Sequence, residues 1–534
     1  MSNVGARLPN GDSASDRRRD LTSAAIIMMS AFLASRLTGL ARTIATSYQF
    51  GTGREYDAYV AAIRIPDFIF QVIAAGAVAS AFIPVFTGYL VREDRDSGWR
   101  MVSTLFNLAL LVLIPLCIFI AVFARPIMGW IYAGFEPETI DQATSLTRIL
   151  LATPVIFALG TFSTSVLQSH KRFFLPALAP SMYNLGLIAG ALVLAPWFGI
   201  HGLAFGAVAG ALMYLGVQVP GLIKCGMSYV PILDLRHQGV RRLGKLMLPR
   251  TLGLAVAQIN LLVISALASA EPGAIAALDY AWQVTMLPLG IFAMAISTAV
   301  FPTLADQSAR DQLDDMRRTM SGTLRLILFL TIPSCAGLVV LATPIVRLLF
   351  ERGAFDPGST ALTVLAVRFF ALGIFGHAMV EIITRAFYAL EDTRTPVAVA
   401  AASMLVSVSL ALVLRSILGF GGLALALSIA AVFEAAVLGF LAAKRLGSLD
   451  EDRLIASAAR ILVATIGMAI VLFLALDFLE RWVTLDTLGG QLLTVALGVT
   501  VGGGVYLALA ALLGAEEVAR LRTSLKDRRA PARS

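Results

Sequence analysis

The chain has 534 residues, of which 58% are hydrophobic and 14% charged, with a mean hydropathy of +0.82. A water-soluble protein of this length needs far more charge to cover its surface, so a soluble enzyme or binding domain is excluded. The formal charge of +8 lies mainly between the apolar runs, where membrane orientation places it, which argues against a nucleic-acid partner.

Residues 1–21 form a polar tail, with Asp16-Arg17-Arg18-Arg19-Asp20 ahead of the first apolar run and no small-residue cleavage site behind a short apolar core. Crossing a hydrocarbon layer about 30 Å thick takes roughly 20 mainly apolar residues. By that measure the sequence predicts about 14 membrane helices and an all-α polytopic fold. Those expected in a first lobe, 22–224, are 22–48, 59–88, 101–124, 144–168, 176–197 and 201–224. A linker, 225–243, follows. Its alternation of charged and apolar residues between Asp234 and Arg242 predicts an interfacial helix on the inner leaflet. A second lobe, 244–444, is expected to hold 244–268, 274–304, 319–343, 359–390, 396–418 and 420–444. Two further spans, 455–478 and 488–513, fall within 445–513, and 514–534 is a basic tail.

With the N-terminus in the cytosol, loop cations such as Arg92, Arg95, Lys171, Arg172, Arg241, Arg242, Lys444 and Arg445 gather on the cytosolic side. Outer turns such as Glu271-Pro272-Gly273 and Gly419-Phe420-Gly421-Gly422 carry almost none. Both termini are therefore expected inside. An internal repeat runs at a spacing of about 220 residues. Asp57-Ala58-Tyr59, Pro66 and Ala81-Phe82-Ile83-Pro84 are matched by Asp279-Tyr280-Ala281, Pro288 and Ala299-Val300-Phe301-Pro302. An even number of spans separates the copies, which predicts two pseudo-symmetric lobes of like orientation.

No phosphate-binding Gly-Lys loop, HExxH or GxSxG pattern is present, so no enzymatic chemistry is expected. Cys117, Cys225 and Cys335 stand singly and the histidines lack ligand spacing, so neither a metal site nor a cofactor is expected. The informative residues are charges inside spans, each costing about 2.5–3.5 kcal/mol on insertion scales. Arg36 and Arg42 flank Gly39 in the first span, while Asp57 and Arg64 lie nearly on one helix face. Gly39, Pro66 and Pro288 are candidate hinges. Two readings of these charges stand side by side: mutual pairing or snorkelling, and a cationic cavity for an anionic substrate whose phosphate oxygens the guanidinium forks would hold. Arg250, next to Pro249, either lines that cavity or faces the cytosol. Glu381 and Arg385, at i,i+4, predict a structural charge pair. Glu434 has no partner in its own segment and is a candidate ion-coupling residue.

The segments Ser35-Arg36-Leu37-Thr38-Gly39-Leu40-Ala41-Arg42, Gly51-Thr52-Gly53 and Asp57-Ala58-Tyr59 resemble the MurJ (MviN) family of lipid II flippases. So do Leu349-Phe350-Glu351-Arg352-Gly353-Ala354-Phe355 and Arg385-Ala386-Phe387-Tyr388-Ala389-Leu390-Glu391-Asp392-Thr393-Arg394-Thr395-Pro396. The resemblance spans roughly residues 22 to 510. That family belongs to the superfamily of multidrug, oligosaccharidyl-lipid and polysaccharide exporters. It implies fourteen helices in two lobes around a central cationic cavity, in the cytoplasmic (inner) membrane of a bacterium. It further implies movement of lipid II, an undecaprenyl-pyrophosphate-linked disaccharide-pentapeptide, between leaflets by alternating access. On this resemblance Arg36 and Arg42 meet the pyrophosphate, Asp57 fills the acidic position, and the last two spans form a groove for the lipid tail. The implied coupling is to sodium or to the membrane potential. The chain departs from the family pattern at Phe70, Gln71 and Gln283, where arginines are expected, and at Ala75, where a glutamate is expected. Transport of another polyprenyl-pyrophosphate-linked glycan, or a transport-inactive scaffold for cell-wall synthesis enzymes, are the alternatives.

Overall fold

A computed structural model of the chain describes residues 14–72, 76–482 and 487–518, and side chains over 30–72, 82–245, 251–479 and 487–518, single positions aside. All regular structure among the described residues is helical, since a backbone in lipid must pair its polar groups internally. The first half holds α1 (Ala14–Phe50), α2 (Arg54–Phe70), α3 (Gly76–Val91), α4 (Arg95–Val122), α5 (Ala124–Ile131), α6 (Pro137–Leu150), α7 (Ala152–Ser169), α8 (Phe174–Ala189), α9 (Ala195–Phe198), α10 (Ile200–Gly216) and α11 (Val219–Lys224). The second half holds α12 (Gln238–Ala268), α13 (Ala274–Pro288), α14 (Ala295–Ala309), α15 (Leu313–Val340), α16 (Ala342–Phe350), α17 (Pro357–Ala371), α18 (Ile374–Ala389), α19 (Arg394–Leu418), α20 (Gly421–Leu446), α21 (Glu451–Trp482) and α22 (Leu488–Leu512).

The repeat seen in sequence is carried by the backbone. The turns at Glu93 and Asp311 share a left-handed φ of 58°. In each, the next residue donates five residues back, Asp94 to the Tyr89 carbonyl and Gln312 to the Gln307 carbonyl. Lys171 and Glu391 repeat that geometry, with Arg172 donating to Leu167 and Asp392 to Phe387. Gly199 and Gly419 adopt φ values of 57° and 60° that only glycine accepts readily. The helix also widens to a π turn at Gln71–Val72, following Pro66, and at Leu289–Met294, following Pro288.

Ten helices among the described residues are long and apolar enough to cross a membrane, and the bent pair of α17 and α18, at 47°, makes an eleventh. The other three expected spans are helical in α1, in α2 with α3, and in α12. Each of these spans includes residues whose side chains are not described; the apolar stretches beyond them include Phe82–Val91 and Leu254–Ala268. Of the helix expected over 234–242, only 238–242 is helical, as the start of α12. Gly226 turns the chain with φ 75°, and residues 227–234 run without regular structure along α4. Their backbone is satisfied by side chains instead: Val230 N–H donates to Ser103, Asp234 N–H to Thr104, and Asn107 donates to the Ile232 carbonyl at 2.8 Å. Helix resumes at Gln238.

The chain forms two compact units. One comprises Met1–Ala45, Ile69–Val122 and Arg148–Thr251; the other comprises Thr46–Phe68, Phe123–Thr147 and Leu252–Ser534. Segments 46–68 and 123–147, placed by sequence in the first lobe, thus belong with the second unit. The first unit centres on Phe82, Phe86, Trp99, Met101, Phe162 and Val166. Its α8 and α10 meet backbone to backbone through Gly186, Gly190, Gly206 and Gly210; a Cβ on Gly206 would stand 2.5 Å from the Gly190 Cα. In the second unit, Tyr280 stacks on Tyr56 at 5.0 Å and packs on Phe350 and Phe355. α21 and α22 pack on α15 around Phe329, Ile461, Met468 and Tyr506. Arg325 of α15 pairs there with Glu516 at 2.8 Å, and Ser457 donates to Glu517 at 2.9 Å.

Candidate functional site

In the first unit the exposed Arg36 and the half-buried Arg42 project from α1. Arg36 forms no ion pair among the described residues. Arg42 donates from Nη1 to Asn184 Oδ1 at 3.5 Å. The Asn184 amide in turn donates to Thr38 Oγ1 at 3.3 Å and to the Ser35 carbonyl at 3.4 Å. A residue of α8 therefore clasps the helix turn between the two arginines. A Cβ on Gly39 would lie 3.6 Å from Asn184 Nδ2, an ordinary contact, so packing does not demand glycine there. Where the family places an arginine, Phe70 packs on Phe157 at 5.2 Å, and Phe157 meets Tyr183 and Tyr214 edge-on. Gln71 is half-buried in the π turn, and the side chain at Ala75 lies outside the described residues.

In the second unit Asp57 is 1% exposed. Its carboxylate accepts from the Gly273 N–H at 2.5 Å and from the Ala276 N–H at 2.7 Å. It thus neutralises the positive end of α13, which opens at Gly273 with φ 80°. The neighbouring Gly-Thr-Gly motif belongs to the same arrangement. The Thr52 hydroxyl donates to Ser359 Oγ at 2.8 Å. A Cβ on Gly51 would fall 2.3 Å from the Ala354 carbonyl oxygen. Both carboxylate oxygens of Asp57 are thus engaged in holding a helix start, where the sequence suggested a substrate ligand.

Arg64, seven residues on, pairs through Nη2 with Asp279 Oδ1 at 3.3 Å, each about a fifth exposed. Gln283, standing at the second missing arginine, donates to Asp279 Oδ2 at 3.3 Å. This polar chain borders a cavity of about 110 Å³ whose walls include Ser265, Trp282 and His377. Tyr132 shares a hydrogen bond with Ser265 and donates to the Ala61 carbonyl at 3.3 Å. Arg64 is thus charge-balanced here, whereas Arg36 of α1 has no ion pair among the described residues.

The remaining candidates stand apart. Arg385 donates to Glu381 Oε1 at 2.9 Å and to Ser297 Oγ at 3.1 Å, and its guanidinium lies 5.8 Å from the Phe301 ring centre. Glu434 of α20 is half-buried beside Ser403, whose hydroxyl donates to the Ala430 carbonyl at 3.0 Å. Arg250 lies on α12 with its side chain outside those described. Asp392, in the Asp-Thr-Arg-Thr-Pro turn, accepts from the Arg394 and Thr395 N–H groups, the Thr395 hydroxyl and the Arg445 guanidinium. Partial burial pushes its carboxyl up, but these donors outweigh it and hold the group below its ordinary value. Asn184 was marked in the sequence only by being polar within an apolar span, and Asp279 was noted as the repeat counterpart of Asp57 but not as a site residue.

The profile of the family described as lipid II flippase MurJ matches residues 46–492. A probable lipid II flippase MurJ of Rhizobium tropici is 31% identical over 523 residues, covering 94% of this chain and 96% of the relative. A solved structure of lipid II flippase MurJ in an inward closed conformation aligns with a TM-score of 0.77 at 28% identity, covering 91% of this chain and 98% of that one. A multidrug resistance MATE family transporter of the MOP superfamily shares the fold, with a TM-score of 0.64 at 17% identity over 80% of this chain and 99% of that one. A helical fold with this repeat and a family match over most of its length lead to one assignment: this multi-pass membrane chain belongs to the lipid II flippase MurJ family.

Proposed function

We propose that the protein moves lipid II from the inner to the outer leaflet of the cytoplasmic membrane by alternating access, with both termini in the cytosol. The observation that carries this is the match over 46–492 to a family described by that substrate and action. The chemistry of α1 supports it. A pyrophosphate needs cationic donors that are not already neutralised. Arg36 has no counter-charge among the described residues, and Arg42 donates to the neutral side-chain amide of Asn184. No bond is made or broken in such a step, so binding and release suffice. With Phe70 and Gln283 in place of arginines, this chain concentrates its pyrophosphate contacts on α1. Glu434 beside Ser403 is the candidate for coupling to an ion, and α21 and α22 are the candidate surface for the lipid tail.

The test is complementation of a bacterium depleted of its own lipid II flippase, scoring growth and outer-leaflet precursor at verified expression. Wild type should rescue. Arg36→Ala or Arg42→Ala should lower flipping roughly 10- to 100-fold, the equivalent of losing one charge-assisted hydrogen bond of about 1.5–3 kcal/mol. A well-expressed, folded wild type that fails to rescue would redirect the assignment to another polyprenyl-pyrophosphate glycan. Rescue by both variants would show that transport does not depend on the α1 arginines.

A further inference from the structure

The amphipathic α16 and the first half of the bent span, α17, enclose a cleft of about 450 Å³, within the size range of small-ligand sites. Its lining is mixed, with apolar Val364 and Leu365 beside Arg347, Arg368, Glu351 and Thr360. Glu351 belongs to the Phe-Glu-Arg-Gly motif and is already engaged. Arg347 Nε lies 3.2 Å from its Oε2, and the Thr360 hydroxyl donates to it at 2.6 Å. Arg347 and Glu351 cancel, so Arg368 leaves the cleft with one net positive charge.

Arg368 is exposed and has no hydrogen bond or ion pair among the described residues. It sits eleven residues into α17, the first half of a bent apolar span, where an unpaired guanidinium is costly unless it meets water, an anion or a lipid headgroup. Helical side chains lean toward their N-terminus, which carries this one back toward the Thr360 level and into the cleft. The internal repeat supplies a control. Arg148 of α6 occupies the matching position and donates to the Ala121 carbonyl at 3.0 Å. The first copy satisfies its arginine within the protein; the second aims it at a lined space.

We propose that this cleft binds the phosphodiester headgroup of an anionic membrane phospholipid, such as phosphatidylglycerol. One negative charge matches the net charge of the cleft. Arg368 supplies donors to the phosphate oxygens, and the apolar side chains of the lining, Leu365 above all, take the start of the acyl chains. The site is separate from the α1 arginines and stands whether or not lipid II is the cargo.

The experiment places the full chain in nanodiscs of phosphatidylcholine with a minor share of phosphatidylglycerol and reads retained lipid by native mass spectrometry. Wild type should hold a phosphatidylglycerol in preference to phosphatidylcholine. Arg368→Gln should lower that retention about tenfold, Arg368→Lys should keep part of it, and Arg148→Gln should leave it unchanged. Retention unaffected by Arg368→Gln, or lost equally with Arg148→Gln, overturns the proposal. Inorganic phosphate that binds alone and displaces the lipid would show a free-anion site and overturn the lipid assignment.

Discussion

Asp57 accepts two backbone N–H groups at the start of α13, so its removal acts first on stability. Asp57→Ala leaves two buried donors without a partner, at about 1–3 kcal/mol for each, whereas Asp57→Asn keeps one acceptor. Thermal unfolding in detergent should therefore fall most for the alanine variant, and the asparagine variant should still bind lipid II. A well-folded Asp57→Asn that loses lipid II binding would make the carboxylate a ligand after all. At this scale the sequence exposed charges but not their partners. Glu381 and Arg385 were readable as a pair because one helix turn joins them. Arg64 and Asp279 are 215 residues apart, and no local pattern announces such a meeting.

Among elements, the features visible in sequence were those with a local cause. Apolar runs became helices, and the prolines at 66 and 288 precede π turns. The linker was legible only in part: 238–242 is helical as the start of α12, while Ser103, Thr104 and Asn107 of α4 hold 230–234 without regular structure. The α8–α10 contact gives a direct test of packing. A methyl on Gly206 meets the Gly190 backbone, which cannot swing aside, so Gly206→Ala should cost about 1–3 kcal/mol. Gly503 of α22 has nothing within 4 Å of the same methyl, and Gly503→Ala should be neutral or slightly stabilising in the same melt.

For the molecule as a whole, the number of spans and the grouping of segments were harder to anticipate than the fold. Hydropathy cannot show that residues 46–68 and 123–147 join the second unit, because that depends on contacts such as Thr52 with Ser359. Orientation is directly measurable. In a background lacking Cys117, Cys225 and Cys335, Pro272→Cys should react with a membrane-impermeant maleimide in intact cells. Thr393→Cys should react only after the membrane is opened. The reverse pattern would invert the proposed topology.

The pairing of Arg325 with Glu516 also bears on how the protein is made. The two residues are 191 positions apart, and synthesis at about 5–20 residues per second separates their emergence by about 10–40 s. Throughout that interval the buried guanidinium of α15 waits without its half-exposed carboxylate partner, and a chain interrupted before Glu516 never gains it. Chains ending just before Glu516 should therefore unfold at a lower temperature in detergent than chains ending just after it, and equal melts would show that the pair contributes nothing to stability.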